Sequence, residues 1–136
     1  MAETSAMAIT SGILTQSESL ALQKFVRALL QTFPAQIHQL ALFGSKARGD
    51  SSPDSDIDVL ILVAQEDRAL RSRMIDIASE VSLEYDVLLS PRVISEERWE
   101  KMRGFTLYQN ILRDGIQLTL KRGKLNLMPN HFLTSV

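Results

Sequence analysis

The segment from Ile57 to Val63 constrains the fold more than any other, because every residue in it except Asp58 is apolar. A strand with one polar face can lie open to solvent, whereas a strand that is apolar on both faces must be covered on both sides. The sequence therefore predicts a central strand of a sheet, packed between other parts of the chain.

Helices and further strands are predicted around this segment. A capping box at residues 15–18 opens a helix with apolar residues at helical spacing, and Pro34 ends it. A second apolar stripe, from Leu70 to Val81, predicts another helix, and Ser95 and Tyr108 fall in two shorter ones. Further strands are predicted at 37–43, 85–89 and 116–120, the last of them at the edge of the sheet.

Length and composition indicate one domain, since the chain has 136 residues of which 45% are hydrophobic. We divide it into a flexible leader at 1–14, a folded domain at 15–120 and a tail at 121–136. The tail carries apolar residues beyond the last predicted strand, so it is interpreted either as a frayed terminus or as a segment held by a partner. These residues are Leu125, Leu127, Met128 and Phe132.

Charge and cysteine content exclude several classes of protein. A net charge of -1 provides no field that favours a long polyanion, so nucleic acid is not expected as a direct substrate. The sequence has no cysteine, which excludes disulfides and thiolate metal sites and fits a reducing cytoplasm. No apolar run is long enough to span a bilayer, so we expect a cytoplasmic protein without a membrane partner.

Two carboxylates stand at the start of the apolar strand. Asp56 and Asp58 are two residues apart, and the period of two in a strand aims both side chains at the same face. Two like charges on one face repel each other, and a divalent cation removes that repulsion. Paired carboxylate oxygens are ligands that Mg²⁺ takes, together with water and substrate phosphates. The spacing therefore predicts a magnesium site.

A turn suited to phosphate lies shortly before these acids. Gly44 and Ser45 follow a predicted strand and precede a short helical turn. Glycine lets the backbone approach a phosphate closely, and free N–H groups and the Ser45 hydroxyl can donate to its oxygens. Lys46 and Arg48 add positive charge, but side chains two apart on a helical turn diverge, so at most one is a direct phosphate contact. We select Arg48.

Asp86 is the candidate for a third carboxylate, which two metals or deprotonation of an acceptor would require. It falls within the predicted strand 85–89, where a buried unpaired carboxylate would be costly. If that strand neighbours the strand of Asp56 and Asp58, the three acids surround one metal cluster.

Each of these features alone has an ordinary structural explanation, and it is their conjunction in order that favours a nucleotide and metal site. Asp50 and Asp54, by contrast, are interpreted as solvated turn residues. Trp99 and Tyr108 are interpreted as core residues rather than as platforms for a base.

The combination of Gly44-Ser45, Asp56-Ile57-Asp58 and Asp86 resembles the DNA polymerase beta-like nucleotidyltransferase superfamily. Residues 43–63 are most similar to its minimal nucleotidyltransferases, and the resemblance covers roughly residues 20–120. It implies an α+β fold, with a small mixed sheet and helices packed on one side. It also implies that Asp56, Asp58 and Asp86 ligate Mg²⁺, while Gly44 and Ser45 hold the phosphates of ATP.

The resemblance further implies a partner. Minimal nucleotidyltransferases are typically paired with a small HEPN-domain toxin, and some transfer AMP to a tyrosine of that toxin. The resemblance thus implies an antitoxin that is an adenylyltransferase and forms a hetero-oligomer. Two alternatives remain open: a non-catalytic antitoxin that neutralises its partner by occlusion, and an enzyme that modifies a small molecule such as an antibiotic.

Overall fold

The computed structural model describes residues 14–52 and 54–129, so the predicted leader lies outside it except for Leu14. The elements are α1 (Gln16–Thr32), β1 (Ile37–Phe43), α2 (Gly44–Arg48), β2 (Ile57–Val63), α3 (Arg68–Tyr85), β3 (Leu89–Ser95), α4 (Glu96–Lys101), α5 (Thr106–Asp114), β4 (Ile116–Lys121) and β5 (Lys124–Pro129). None of the helices in this part of the chain is both long and apolar enough to cross a membrane.

The five strands form one mixed sheet in the order β3-β2-β1-β4-β5. Strands β2 and β3 are parallel, and the other neighbours are antiparallel. This arrangement confirms the predicted α+β fold with a mixed sheet. The prediction that β4 is an edge strand is wrong, because β5 pairs with it along its whole length.

Apolar side chains cover both faces of the sheet, as the pattern of β2 requires. The two long helices α1 and α3 pack on one face, where alternate residues of β2 join the larger cluster. The short helices α4 and α5 cover the opposite face around Trp99 and Tyr108, whose ring centroids are 4.4 Å apart. These two aromatic residues are buried, which confirms the prediction that they belong to the core. The family resemblance had implied only the helices of the first face.

The prediction of a strand at 85–89 is wrong. Helix α3 continues to Tyr85, which packs against the larger cluster, and Asp86 ends the helix in the left-handed conformation with φ of 55°. Helical spacing from Met74 through Val81 continues to Tyr85, and aspartate tolerates left-handed backbone better than most residues. The strand therefore begins only at Leu89.

Much of the predicted tail belongs to the sheet. Residues 124–129 form β5, in which Leu127 is buried and Leu125 packs partly against the larger cluster. The interpretation of these two side chains as frayed or held by a partner is therefore wrong, because the chain's own core covers them. Met128 remains 39% exposed, and Phe132 lies outside the described residues.

Candidate metal and phosphate site

The two carboxylates of the Asp-x-Asp motif lie at one end of the sheet. Asp56 directly precedes β2, and Asp58 pairs across the antiparallel ladder with Phe43, the last residue of β1. Burial and the neighbouring charge of Asp56 raise the pKa of Asp58, while Arg92 and Arg48 oppose that rise. The structure thus brings the two acids into one electrostatic site, as their spacing predicts.

Gly44 is in contact with this site. It begins α2 with φ of +75°, and a Cβ atom built at this position would lie 2.2 Å from Oδ2 of Asp58. Any side chain here would displace the carboxylate or be excluded by it. Glycine is therefore required at this position for two reasons, the backbone conformation and the close approach of Asp58.

The turn Gly44–Arg48, which the sequence predicts to bind phosphate and which we call the phosphate-binding turn, is held by its backbone. The carbonyl of Ser45 accepts hydrogen bonds from the N–H groups of Gly49 and Asp50 at 3.0 and 3.2 Å. Within the described residues nothing hydrogen-bonds the Ser45 hydroxyl, which leaves it available to a ligand. Arg48 is exposed and pairs with Asp50 (Nε to Oδ2, 3.2 Å), and its field reaches Asp58.

Lys46 does not have the role of a possible phosphate contact that its position in the turn suggested. Its ammonium is buried, lies 2.5 Å from Oε2 of Glu18 and donates to the carbonyl of Ser52 at 3.2 Å. The other oxygen of Glu18 accepts from the Thr15 N–H in the capping box of α1. Lys46 therefore ties the phosphate-binding turn to α1 and is not free to bind phosphate.

The sequence contains a signal for this ion pair that the predictions above do not use. Glu18 lies on the same stripe of α1 as Leu22, Phe25 and Leu29, all of which are buried. A carboxylate on a buried stripe must find a partner, because an unpaired buried charge is costly. The sequence could not show which cation supplies that partner.

The structure does not place Asp86 beside the other two acids on a common ladder. The residue of β3 that pairs with Asp58 is Ser90, so a hydroxyl stands where a third acid on that strand would lie. Asp86 is exposed and precedes β3 at the same end of the sheet at which Asp56 precedes β2. Within residues 14–52 and 54–129 no three acidic or histidine side chains form a group that could hold a metal ion.

The residues that are brought together fit a divalent cation. Asp56 and Asp58 supply hard oxygen donors, and the desolvation and mutual repulsion that raise the pKa of Asp58 are costs that a bound cation relieves. The phosphate-binding turn lies against one of these donors through Gly44. Two protein ligands leave coordination positions for substrate phosphates and water, as is usual for Mg²⁺.

A turn of this kind beside paired carboxylates, at one end of a mixed sheet, defines the nucleotidyltransferases as a class. Residues 22–116 match the nucleotidyltransferase domain family, and the chain belongs to that family. It is a nucleotidyltransferase.

Two relatives from Methanocaldococcus jannaschii are provisionally named protein adenylyltransferases. One is 36% identical over 99 residues, which is 73% of this chain and 95% of the relative. The other is 39% identical over 71 residues, which is 52% of this chain and 72% of the relative.

Solved structures show the same fold. A nucleotidyltransferase structure from Sulfolobus solfataricus has a TM-score of 0.51 at 20% identity and covers 90% of this chain and 92% of its own. A mutant of the toxin–antitoxin complex MntA-HpeT has a TM-score of 0.50 at 22% identity, covering 74% of this chain and 73% of its own.

We expect Gly44→Ala to reduce nucleotide transfer by about 10²-fold, because the new Cβ displaces the Asp58 carboxylate from its position. Gly49→Ala is a matched control, since Gly49 also has a positive φ, of 79°, but a Cβ there meets nothing within 4 Å. Its cost is the left-handed backbone alone, about 1–2 kcal/mol of stability. Calorimetry of ATP binding and transfer rates compare the two variants. Equal ATP binding and equal transfer by both would show that the close approach to Asp58 is irrelevant.

Proposed function

We propose that this protein transfers AMP from ATP to a tyrosine hydroxyl group on a partner HEPN-domain toxin, and so acts as its antitoxin. The observation that carries the proposal is the contact between the Asp58 carboxylate and the glycine that opens the phosphate-binding turn. The 36% identity to a provisionally named protein adenylyltransferase supports a protein acceptor. The absence of cysteine from the sequence supports a reducing compartment such as the cytoplasm.

Under this proposal each site residue has a defined task. Asp56 and Asp58 would hold Mg²⁺, which would supply positive charge to neutralise the phosphates and the departing pyrophosphate. Backbone N–H groups at Gly44 and the Ser45 hydroxyl hold the terminal phosphates, and Arg48 adds a positive charge beside them. The acceptor oxygen forms a bond to the α-phosphorus, and the bond from that phosphorus to pyrophosphate breaks.

Asp86 is proposed as the third acid, which receives the proton of the acceptor hydroxyl. Its place at the same end of the sheet as Asp56, together with its exposure, supports this role. Since Asp86 does not share a ladder with Asp58, the acceptor would have to lie between the two.

We expect Asp86→Asn to lower the rate of transfer by about 10²–10⁴-fold while leaving the dissociation constant for ATP unchanged, because it removes a proton acceptor and not a phosphate contact. Asparagine tolerates the left-handed backbone at this position, so the fold should persist. Glu80→Gln, an exposed acid on α3, is the control. Single-turnover kinetics that were identical for the two variants would remove Asp86 from the mechanism.

The proposal as a whole is tested by incubating the protein with its genomic neighbour and each labelled nucleoside triphosphate, followed by mass spectrometry. The expected result is an added AMP on a tyrosine of the neighbour, dependent on Mg²⁺ and specific for ATP. Inhibition of the neighbour by binding alone, without ATP, would replace the enzyme with an occluding antitoxin. Transfer to a small molecule in the absence of the neighbour would contradict the protein acceptor.

A further inference from the structure

An arginine-lined pocket lies at the edge of the sheet where β3 is the terminal strand. It has a volume of 280 Å³ and lies between α3, β3 and α4. Its walls consist of three arginines and three apolar residues: Arg71, Arg92, Arg98, Ile75, Pro91 and Val93.

The pocket carries excess positive charge. Arg71 and Arg98 both pair with the same oxygen of Glu66, each at 2.5 Å. The side chain of Arg92 is exposed, and in the part of the chain that the structure describes its guanidinium has neither an ion pair nor a hydrogen bond. Three guanidinium groups against one carboxylate leave a net charge of +2 in the pocket. An anionic group would therefore be attracted there, and Arg92 is free to bind it.

The pocket lies next to the metal and phosphate site. In the parallel ladder Ser90 pairs with Asp58, and Arg92 is two residues further along β3, so its side chain is on the same face as Asp58. Standard strand dimensions then place the two Cα atoms about 8 Å apart. Arg92 is also one of two arginines that oppose the rise in the pKa of Asp58 caused by burial and Asp56. A molecule bound at Arg92 would thus stand beside the transfer site.

We propose that this arginine pocket binds an acidic segment of the acceptor protein and so holds the acceptor hydroxyl next to Asp58. The inference rests on the proposed function, because it concerns the second substrate of that reaction. Guanidinium groups can donate to carboxylates in bidentate geometry, and Arg92, whose side chain is unpaired among the described residues, supplies the contact nearest the site.

A protein segment fits the pocket better than a nucleic acid does. The apolar wall of Ile75, Pro91 and Val93 matches the aliphatic part of a glutamate side chain, and Ile75 is 42% exposed. A cavity of 280 Å³ accommodates one or two side chains. A nucleic acid would need a longer row of basic side chains along which its phosphates could bind. The chain has a net charge of -1, which does not favour a long polyanion.

The test compares two double variants that each remove two positive charges. Arg92→Gln with Arg98→Gln leaves Arg71 and Glu66, which neutralises the pocket. Lys121→Gln with Lys124→Gln is the control, because these exposed lysines lie at the β4–β5 turn near the opposite edge of the sheet. Fluorescence anisotropy measures binding of a labelled oligoglutamate peptide, and of a uridine oligonucleotide of the same length, to the full chain with and without Mg·ATP.

We expect the pocket variant to bind oligoglutamate about tenfold more weakly than the parent and the lysine variant, and to show a correspondingly raised KM for the acceptor protein. Affinity for ATP should be unchanged in both variants, and ATP should not compete with the peptide. Equal peptide binding by both variants would overturn the proposal. If the oligonucleotide bound more tightly than the peptide and its binding depended on the arginines, the proposal would be overturned and the pocket would be a nucleic-acid site. If ATP competed with the peptide, the proposal would be overturned and the pocket would be a nucleotide subsite. If the peptide bound in an arginine-dependent way but no nucleotide were transferred to protein, the proposed function would be refuted, whereas the pocket would still be a binding site for acidic segments.

Discussion

Asp58→Asn is expected to reduce nucleotide transfer by about 10³-fold or more while leaving the metal-free protein at least as resistant to heat as the parent. Loss of a carboxylate ligand removes charge stabilisation worth several kcal/mol in the transition state. The fold should not suffer, because ionised Asp58 is half-buried and repelled by Asp56. The same substitution at Asp56 should also abolish transfer, for the same reason.

The pH dependence of stability follows from the raised pKa of Asp58. Near and below its ordinary pKa, the native state holds a proton on Asp58 more readily than the unfolded chain does, and this contributes stability. That contribution is lost as the pH rises through the folded-state pKa, so at neutral pH the ionised group destabilises the metal-free protein. Asparagine removes the cost, and its variant should lose less stability than the parent between acidic and neutral pH.

Thermal melting with and without Mg²⁺, together with transfer rates, measures both effects. Mg²⁺ should raise the melting temperature of the parent but not of the Asp58→Asn variant. Asp54→Asn is the control, since Asp54 is an exposed carboxylate in the neighbouring loop, and it should behave like the parent in every assay. An Asp58→Asn protein with full transfer activity, or with the parent's response to Mg²⁺, would refute the assignment of this acid.

Lys46→Met is expected to lower the free energy of unfolding by about 3–5 kcal/mol, because it leaves the buried carboxylate of Glu18 without its partner. It also removes the donor to the Ser52 carbonyl, so the loop that leads to Asp56 loses its anchor. Native domains are stabilised by only about 5–15 kcal/mol, so the loss is a large share of the total.

A double-mutant cycle separates the ion pair from the loss of packing. Glu18→Gln keeps an oxygen that can accept from the Thr15 N–H but removes the charge, and alone it should also destabilise the protein strongly. Combining it with Lys46→Met removes both charges, so the double variant should be clearly more stable than the Lys46→Met protein. Urea unfolding measures the three values. If the two substitutions lowered the free energy of unfolding additively, Glu18 and Lys46 would not stabilise the protein through their interaction.

ATP binding by the double variant then tests what the ion pair does for the site. Lys46 reaches from the phosphate-binding turn to α1, so a folded double variant in which this link is missing should bind ATP more weakly than the parent. Unchanged affinity in a folded double variant would confine Glu18 and Lys46 to a role in stability. Lys24→Met, which breaks an exposed ion pair with Glu84, controls for loss of a lysine and should leave stability almost unchanged, because water and salt screen an exposed ion pair.

Local rules were sufficient for several parts of this protein. The apolar pattern of 57–63 determined a covered interior strand, because it depends only on the geometry of a single strand. Asp56 and Asp58, two residues apart at the start of that strand, are close enough to interact electrostatically. The capping box of α1 and the Ser95 cap of α4 formed as predicted, since both are satisfied by residues within three positions. The order of turn, acids and helices indicated the class of enzyme.

Other features depended on which elements pack together, and no local pattern could fix them. The sequence showed that Tyr85 and Asp86 followed an apolar stripe, but only packing against the core decided that helix α3 extends to Tyr85. Strand β5 exists because β4 offers it a free edge and the core has room for Leu127. The parallel register of β2 and β3 placed Ser90, and not an acid, beside Asp58.

The same distinction between local and tertiary causes applies to the candidate site. The sequence determined the groups of the candidate site, because a glycine before a serine hydroxyl and two carboxylates two residues apart follow from the order of residues alone. Tertiary structure decided the contact of Gly44 with Asp58, the burial of Lys46 against Glu18, and the placement of Arg92 with Arg71 and Arg98. In each case the partners come from different elements, and their meeting is set by strand register and by the burial of apolar surface, which act over the whole chain.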